Sequence, residues 1–315
     1  MKIKAGNRWK PIKDFFDLEG YYFWKRLRAK YYIIIRSAGG AGFFSNYMWV
    51  LGHVVFARRL GYIPVVDMKN YPTLYSEDTA VDGIDNAWNY YFKNIDGVTL
   101  EEAYASGRYV VGKDKYLTKY AEKYASPIYR FPTEKMIAYY KPVIDRNIQI
   151  RDDLRREYEQ EWADKTGGAV RVLGIHIRGT DMKNNLGHPM PASVDEYLER
   201  TRRMLAGHPE ISHIFLATDE NNVKERYENV FQNSQWTLIM NDAFRVWDNG
   251  EKRRTGIHET KVEHPRKRHK YLLGKEVLRD AWFLSKCDYL ICGHSNITNT
   301  VILWKQNKFK QVEVV

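Results

Sequence analysis

The chain has 315 residues, 44% of them hydrophobic and 14% aromatic, which excludes a disordered protein and leaves room for two cores. Its formal charge of +11, from 50 basic and 39 acidic side chains, admits nucleic acid, an anionic membrane or a phosphorylated small molecule as partner without choosing among them. No run reaches the roughly 18 uninterrupted apolar residues of a membrane span, and the start M-K-I-K-A-G-N-R-W-K lacks an apolar signal core, so a cytoplasmic chain is expected. Cys287 and Cys292 fall within one apolar run and face opposite sides of a predicted strand, which argues against a disulfide.

Residues 15 to 32 interleave aromatic side chains with Lys and Arg. That composition suits an interfacial membrane helix, and equally a helix packed on a core with its basic face in water. Tyr32 to Ile35 reads as the first strand. A glycine-rich turn through Gly39, Gly40 and Gly42 follows, then an amphipathic helix from about Asn46 to Leu60 and a second strand from Tyr62 to Asp67. A strand, glycine turn and helix can bring backbone amides close to a phosphate, but the dinucleotide fingerprint fails where Ser45 stands. Residues 68 to 150 read as short helices and loops. Within them Gly107 and Gly112-Lys113 have phosphate-loop spacing, yet Asp114 replaces the required hydroxyl and Tyr109 to Val111 reads as strand.

A charged helix over Arg151 to Lys165, ended by Gly167-Gly168, marks the expected boundary between domains 1–165 and 166–315. Strands and helices then alternate regularly. Strands are expected at 171–177, 213–217, 236–240 and 287–292. Helices are expected from Ser193, with Glu196 at capping-box spacing, and over 221–231, 274–285 and 295–304. Phe309 to Val315 either adds a last strand or packs back on the first domain. The whole is an α/β chain with a doubly wound second half.

In such sheets ligands lie at the carboxyl ends of the strands, and three strand ends here are polar: His176, Arg178 and Asp181; Asp219 and Glu220; and Gly293 to Asn296. Arg178 offers a permanently charged planar fork to phosphate, while an ion pair with Asp181 across a turn would explain the same residues. Ser295 and Asn296 can cap the last helix and direct its first amides at an anion.

G-I-H-I-R-G-T-D, then L-A-T-D-E, then L-R-D-A-W-F-L-S-K-C-D-Y-L-I-C-G-H-S-N resemble, in order, the three peptide regions of the fucosyltransferase superfamily, nearest to its α-1,6 branch with the bacterial nodulation enzymes. The turn Gly39 to Asn46 resembles that superfamily's N-terminal glycine motif. The resemblance implies a GT-B fold, two Rossmann-like domains facing across a cleft. It also implies GDP-fucose as co-substrate and inverting transfer to a glycan acceptor without a metal or other cofactor. By the same resemblance Arg178 contacts the β-phosphate, His176 lies against the nucleotide, Asp280 binds guanine, and Ser295 and Asn296 bind phosphate. Gly40, Gly42 and Phe43 are substrate-binding residues of the acceptor-side first domain, the second domain holding the nucleotide sugar, and Asp219 matches the second region's aspartate.

No Asp-x-Asp pair occurs, so the usual diphosphate-metal motif is missing from the sequence. Two features depart from the α-1,6 pattern. Gly179 replaces a second arginine, and the usual downstream glutamate base has no counterpart over 181–191, which leaves Asp181, His188 and Asp219 as candidate bases. The basic runs Lys252 to Arg254 and Arg266 to Lys270 either cover the diphosphate or form a solvated loop. A basic, aromatic first domain further suggests a lipid-linked acceptor met peripherally at the inner face of a membrane. The rival readings are a transferase using another GDP-sugar, such as a heptose, and a basic nucleic-acid-binding protein. Dispersed charge and the lack of a readable recognition module count against nucleic acid.

Overall fold

The computed structural model describes residues 20–36, 41–112, 131–168, 171–178, 192–247 and 266–315. A short helix, α1 (Gly20–Arg26), leads into β1 (Tyr31–Ile35), α2 (Phe43–Arg59) and β2 (Ile63–Asp67). After α3 (Leu100–Ala105) comes β3 (Tyr109–Val111), and the sheet has order β2-β1-β3 with both pairings parallel. Helices α4 (Glu134–Asn147) and α5 (Asp152–Thr166) follow, and α5 ends where Gly167 takes the left-handed conformation (φ 55°) that glycine tolerates. All five residues of β1 are buried, as its uniformly aromatic and β-branched composition requires of a central strand covered on both faces.

The second sheet is built from β4 (Val172–Ile177), β5 (His213–Thr218), β6 (Thr237–Ile239), β7 (Tyr289–Cys292) and β8 (Gln311–Val314). Its order is β6-β5-β4-β7-β8, every neighbour parallel. The connecting helices are α6 (Val194–Gly207), α7 (Asn221–Phe231), α8 (His269–Lys286) and α9 (Asn296–Trp304). The chain winds from β4 outward through β5 to β6, then returns to the other side of β4 at β7. The switch point of this doubly wound sheet therefore lies between β4 and β7. The terminal segment takes the first of its two expected places, as β8 beside β7.

Several boundaries move from their sequence-based positions. Helix α2 begins at Phe43 rather than Asn46, because Phe43 and Phe44 enter an aromatic core with Tyr47, Tyr75, Tyr91, Phe92 and Trp304. Helix α8 begins at His269 rather than Gly274. Its first turn is capped from the other half of the chain, where Glu77 Oε1 accepts the Tyr271 amide at 2.7 Å and Tyr271 stacks on Tyr91. Gly112 owes nothing to phosphate: a Cβ there would lie 2.7 Å from the Tyr32 hydroxyl, so glycine is what lets β3 lie against β1. Both cysteines are free and buried.

The two sheets meet through side chains. Helix α9 packs on α2, where Trp304 Nε1 donates to the Tyr47 hydroxyl at 2.8 Å and Thr300 faces Met48. Nearby, Gly274 admits the Tyr91 ring, whose hydroxyl donates to the Tyr271 carbonyl at 3.0 Å. Arg268 and Lys270, expected either over a diphosphate or in solvent, instead form ion pairs with Asp82 and Asp78, while Arg266 grips Glu276 with two nitrogens. Lys252 to Arg254 lie outside the described residues.

Candidate active site at the carboxyl edge of the second sheet

The switch point gathers four of the expected residues. Ser295 precedes α9 and caps it, its Oγ accepting the Thr298 amide at 3.1 Å. Thr298 Oγ1 stands 2.9 Å from Ser295 Oγ, donates to the Gly293 carbonyl at 2.9 Å, and meets His176 Nδ1 at 3.3 Å. One hydroxyl thus ties the end of β4 to the start of α9. His176 pairs with Cys292 across the β4–β7 register, which fixes the imidazole beside the helix terminus. Burial, with the Arg178 charge adding to it, lowers the His176 imidazole to about 3, so it is neutral at any ordinary pH and acts as a hydrogen-bonding group rather than a cation. Arg178 follows β4 directly and keeps part of its surface.

Two buried polar atoms at this corner have no hydrogen-bond partner among the described residues: Asn296 Oδ1 and His294 Nδ1. Ten such atoms are spread over the described residues, and these two lie beside the N-terminus of α9, where backbone amides favour an anion. The His294 ring itself is held edge-on against Phe131.

Farther along the same edge, Asp219 follows β5, and its carbonyl accepts the Val246 amide at 3.0 Å. Arg245 knots this region: its guanidinium donates to the carbonyls of Thr218 (3.2 Å), Ala243 (3.3 Å) and Asn241 (2.7 Å). Asn241, just past β6, donates through Nδ2 to Asp280 Oδ1 on α8 at 2.7 Å. Burial pushes the Asp280 carboxyl up to about 6; the Asn241 bond and the charges of Arg279 and Arg245 only partly oppose that rise. The edge therefore carries Asn241 and Asp280 at one end, Asp219 and Arg245 next, then His176 and Arg178, and finally Ser295, Thr298 and Asn296.

The remaining expected residues lie elsewhere. Gly42 sits at the N-terminus of α2 with ordinary extended backbone (φ −60°, ψ 158°), and a Cβ there would meet nothing within 4 Å. The Phe43 ring is buried in the aromatic core, and its amide donates to the Tyr75 hydroxyl at 2.9 Å. Gly40, Asp181 and His188 lie outside the described residues. Thr298, Asn241 and Arg245 are additions that the sequence did not single out. Thr298 alone had a local signal, its place three residues after the cap.

No protein-family model matches the chain, and no curated protein matches it. Among solved structures it is similar to NodZ α-1,6-fucosyltransferase co-crystallised with GDP, with TM-score 0.55 and 15% identity over 87% of this chain and 91% of that one. A NodZ structure soaked with GDP-fucose gives 0.52 and 15% over 88% and 92%. The fucosyltransferase NodZ from Bradyrhizobium gives 0.54 and 15% over 87% and 92%. At this identity the likeness is one of fold. The chain has the GT-B architecture of these fucosyltransferases over nearly its full length, and the resemblance drawn from its peptide regions is met at that level.

Proposed function

We propose that this chain is an inverting, metal-independent glycosyltransferase that moves fucose from GDP-fucose to a glycan acceptor. The observation that carries the reading is the corner at the switch point. There a neutral His176, under the charge of Arg178 at the end of β4, meets the capped N-terminus of α9 through Thr298, beside the orphaned atoms of His294 and Asn296. NodZ, with the same fold, has been crystallised with GDP and soaked with GDP-fucose, which supports a GDP-linked donor for this edge.

In the proposed reaction the acceptor hydroxyl attacks the anomeric carbon of fucose from the face opposite the nucleotide. The bond from that carbon to the β-phosphate oxygen breaks, and GDP leaves with the electron pair. Arg178 and the first amides of α9 stabilise the negative charge that grows on the diphosphate, the role a metal ion fills elsewhere. Asp280 accepts hydrogen bonds from the guanine N–H groups, and Ser295 and Asn296 hold phosphate oxygens. Gly40 and Gly42 bind substrate from the acceptor-side first domain, and Phe43, its ring buried in the aromatic core, supports that turn. The hydroxyl proton passes to a carboxylate, for which Asp219 and Asp181 are the two candidates. A lipid-linked acceptor met peripherally at the cytoplasmic face of a membrane belongs to the same reading.

The test is calorimetric titration with GDP, UDP, ADP and CMP in chelator, followed by a panel of GDP-sugars. Selective GDP binding without metal is expected, then turnover with GDP-fucose. Preference for another nucleotide would discard the donor, and turnover with a GDP-heptose alone would replace the sugar.

A further inference from the structure

Helix α1 lies at the amino edge of the first sheet, opposite the carboxyl edge where strands of this fold present ligands. It is firmly seated on one side only. The Tyr22 ring is buried against Tyr32 and Phe56, its hydroxyl donates to the Val111 carbonyl at 3.3 Å, and its own carbonyl accepts the Tyr62 hydroxyl. Arg26 fastens the helix end to the carbonyls of Gly61 (2.7 Å) and Ala29 (3.3 Å).

The other side of this anchored helix is bare. Tyr21 is 45% exposed, Phe23 58%, Trp24 69% and Leu27 70%, four large apolar side chains within seven positions. Scattered single apolar residues on a surface need no explanation, but a contiguous group on a rigid element does. Around it stand the exposed cations Lys25, Arg28, Lys30 and Arg108. The backbone brings the last two together, since the Arg108 carbonyl accepts the Lys30 amide at 2.7 Å. Among the described residues none of these four is paired with a carboxylate; Lys25 and Lys30 lie over the Tyr21 and Tyr31 rings. Glu102, exposed on α3, accepts the Tyr31 hydroxyl at 3.3 Å.

We infer that this face docks on an anionic lipid bilayer. Exposed Trp, Tyr and Phe, amid Lys and Arg that pair with no carboxylate among the described residues, match both requirements of such a surface, with aromatic rings for the headgroup region and positive charge for anionic phosphates. Helix α1 is too short to span a bilayer, and among the described residues no helix is long and apolar enough to do so, so the contact is one of lying on the membrane. The five parallel residues of β1 hold the patch about 17 Å from the carboxyl edge of the sheet. A bilayer at the patch leaves that edge standing off the lipid surface. If the transferase reading holds, a membrane-anchored acceptor reaches the site only through a headgroup several sugars long. The docking itself does not depend on that reading.

The experiment is co-sedimentation of the full chain with vesicles of phosphatidylcholine alone and of phosphatidylcholine with phosphatidylglycerol, at low and high salt, with GDP titration run in parallel. The chain should pellet with the anionic vesicles, lose most of that binding at high salt, and stay in solution with neutral ones. The triple variant Phe23→Ala, Trp24→Ala, Leu27→Ala and, separately, Lys25→Glu with Arg28→Glu should each lower partitioning at least about tenfold. Both should leave any GDP affinity unchanged, which separates failure of the docking surface from failure of the donor site. Three results would overturn the inference: no pelleting of the parent chain, pelleting indifferent to both variants, or a parent dimer that the triple variant turns to monomer, which would assign the patch to a second copy.

Discussion

Replacing Asp280 by Asn separates a cost in stability from a gain in binding. The carboxyl is displaced from 3.8 to about 6 by burial, so the folded chain holds the neutral form more tightly than the unfolded chain does. The sign follows from linkage. Below about pH 4 the group is protonated in both states and contributes no difference. Between about pH 4 and 6 the folded state binds the extra proton and stability falls as pH rises. Above about pH 6 the full cost of an ionised, desolvated carboxylate is present. Two pKa units amount to about 3 kcal/mol, an upper bound for a half-buried residue. Asn cannot ionise, and its amide oxygen can still accept the 2.7 Å bond from Asn241.

Asp280→Asn should therefore match the parent near pH 4 and exceed it by up to about 3 kcal/mol at pH 7.5, read from urea unfolding at a series of pH values. Binding should move the other way. A carboxylate that accepts from guanine is worth about 1.5–3 kcal/mol over a neutral partner, so GDP affinity should fall by roughly ten- to a hundredfold. In the parent chain GDP affinity should weaken as pH falls through about 6 and level off roughly ten- to a hundredfold lower, since the protonated carboxyl offers guanine a neutral partner as Asn does. A stability difference that does not grow with pH would refute the desolvation argument. Undiminished GDP affinity in the variant would remove the guanine assignment and leave that argument standing.

Arg178→Ala should lower kcat by about 10² or more with an unchanged circular dichroism spectrum and melting temperature, because the charge it loses acts on the leaving diphosphate. An unfolded variant would instead make Arg178 structural. Ser295→Ala removes the cap of α9 and a neighbour of Thr298 Oγ1, which should cost about 1 kcal/mol in denaturant unfolding and weaken GDP binding as well. Gly274→Ala drives a Cβ into the Tyr91 ring at the seam between the two sheets and should destabilise by about 1–3 kcal/mol in the same assay, with a wild-type melting curve refuting the packing.

Legibility in the sequence follows the range of the forces involved. The strands β1, β4, β5 and β7 were readable because burial on both faces demands apolar, β-rich runs. Ser295 and Ser193 were readable because a cap and its amide lie three residues apart, and both hydroxyls accept where expected, at Thr298 and Glu196. What the sequence did not disclose depends on partners far along the chain. The first turn of α8 is completed by Glu77, nearly two hundred residues earlier. Arg245 sits in a stretch that reads only as polar connection, and its three carbonyl acceptors define it as a structural knot only once β5 and β6 lie side by side. The basic run through Arg268 and Lys270 has the composition of a phosphate clamp or a solvated loop, and only the fold reveals its aspartate partners.

Those ion pairs are not what holds the two halves in register. Arg268–Asp82 and Lys270–Asp78 are largely exposed, and pairs of that kind contribute about 0–1 kcal/mol each. The buried contacts are of another order. Tyr91 lies on Tyr271 with its hydroxyl satisfied, Gly274 makes room for the ring, and Trp304 is wedged between Phe44 and Tyr47 with its indole nitrogen bonded. Buried aromatic contacts with satisfied polar ends are costly to break and geometrically specific. The Tyr91 contacts reach α8, and those of Trp304 connect α2, which starts at the glycine turn of the first sheet, to α9, whose N-terminus forms the anion corner of the second. The seam thus sets the distance between the two ligand-facing edges by packing rather than by charge. Moderate salt, which would detach a lipid surface from α1, should leave that distance unchanged.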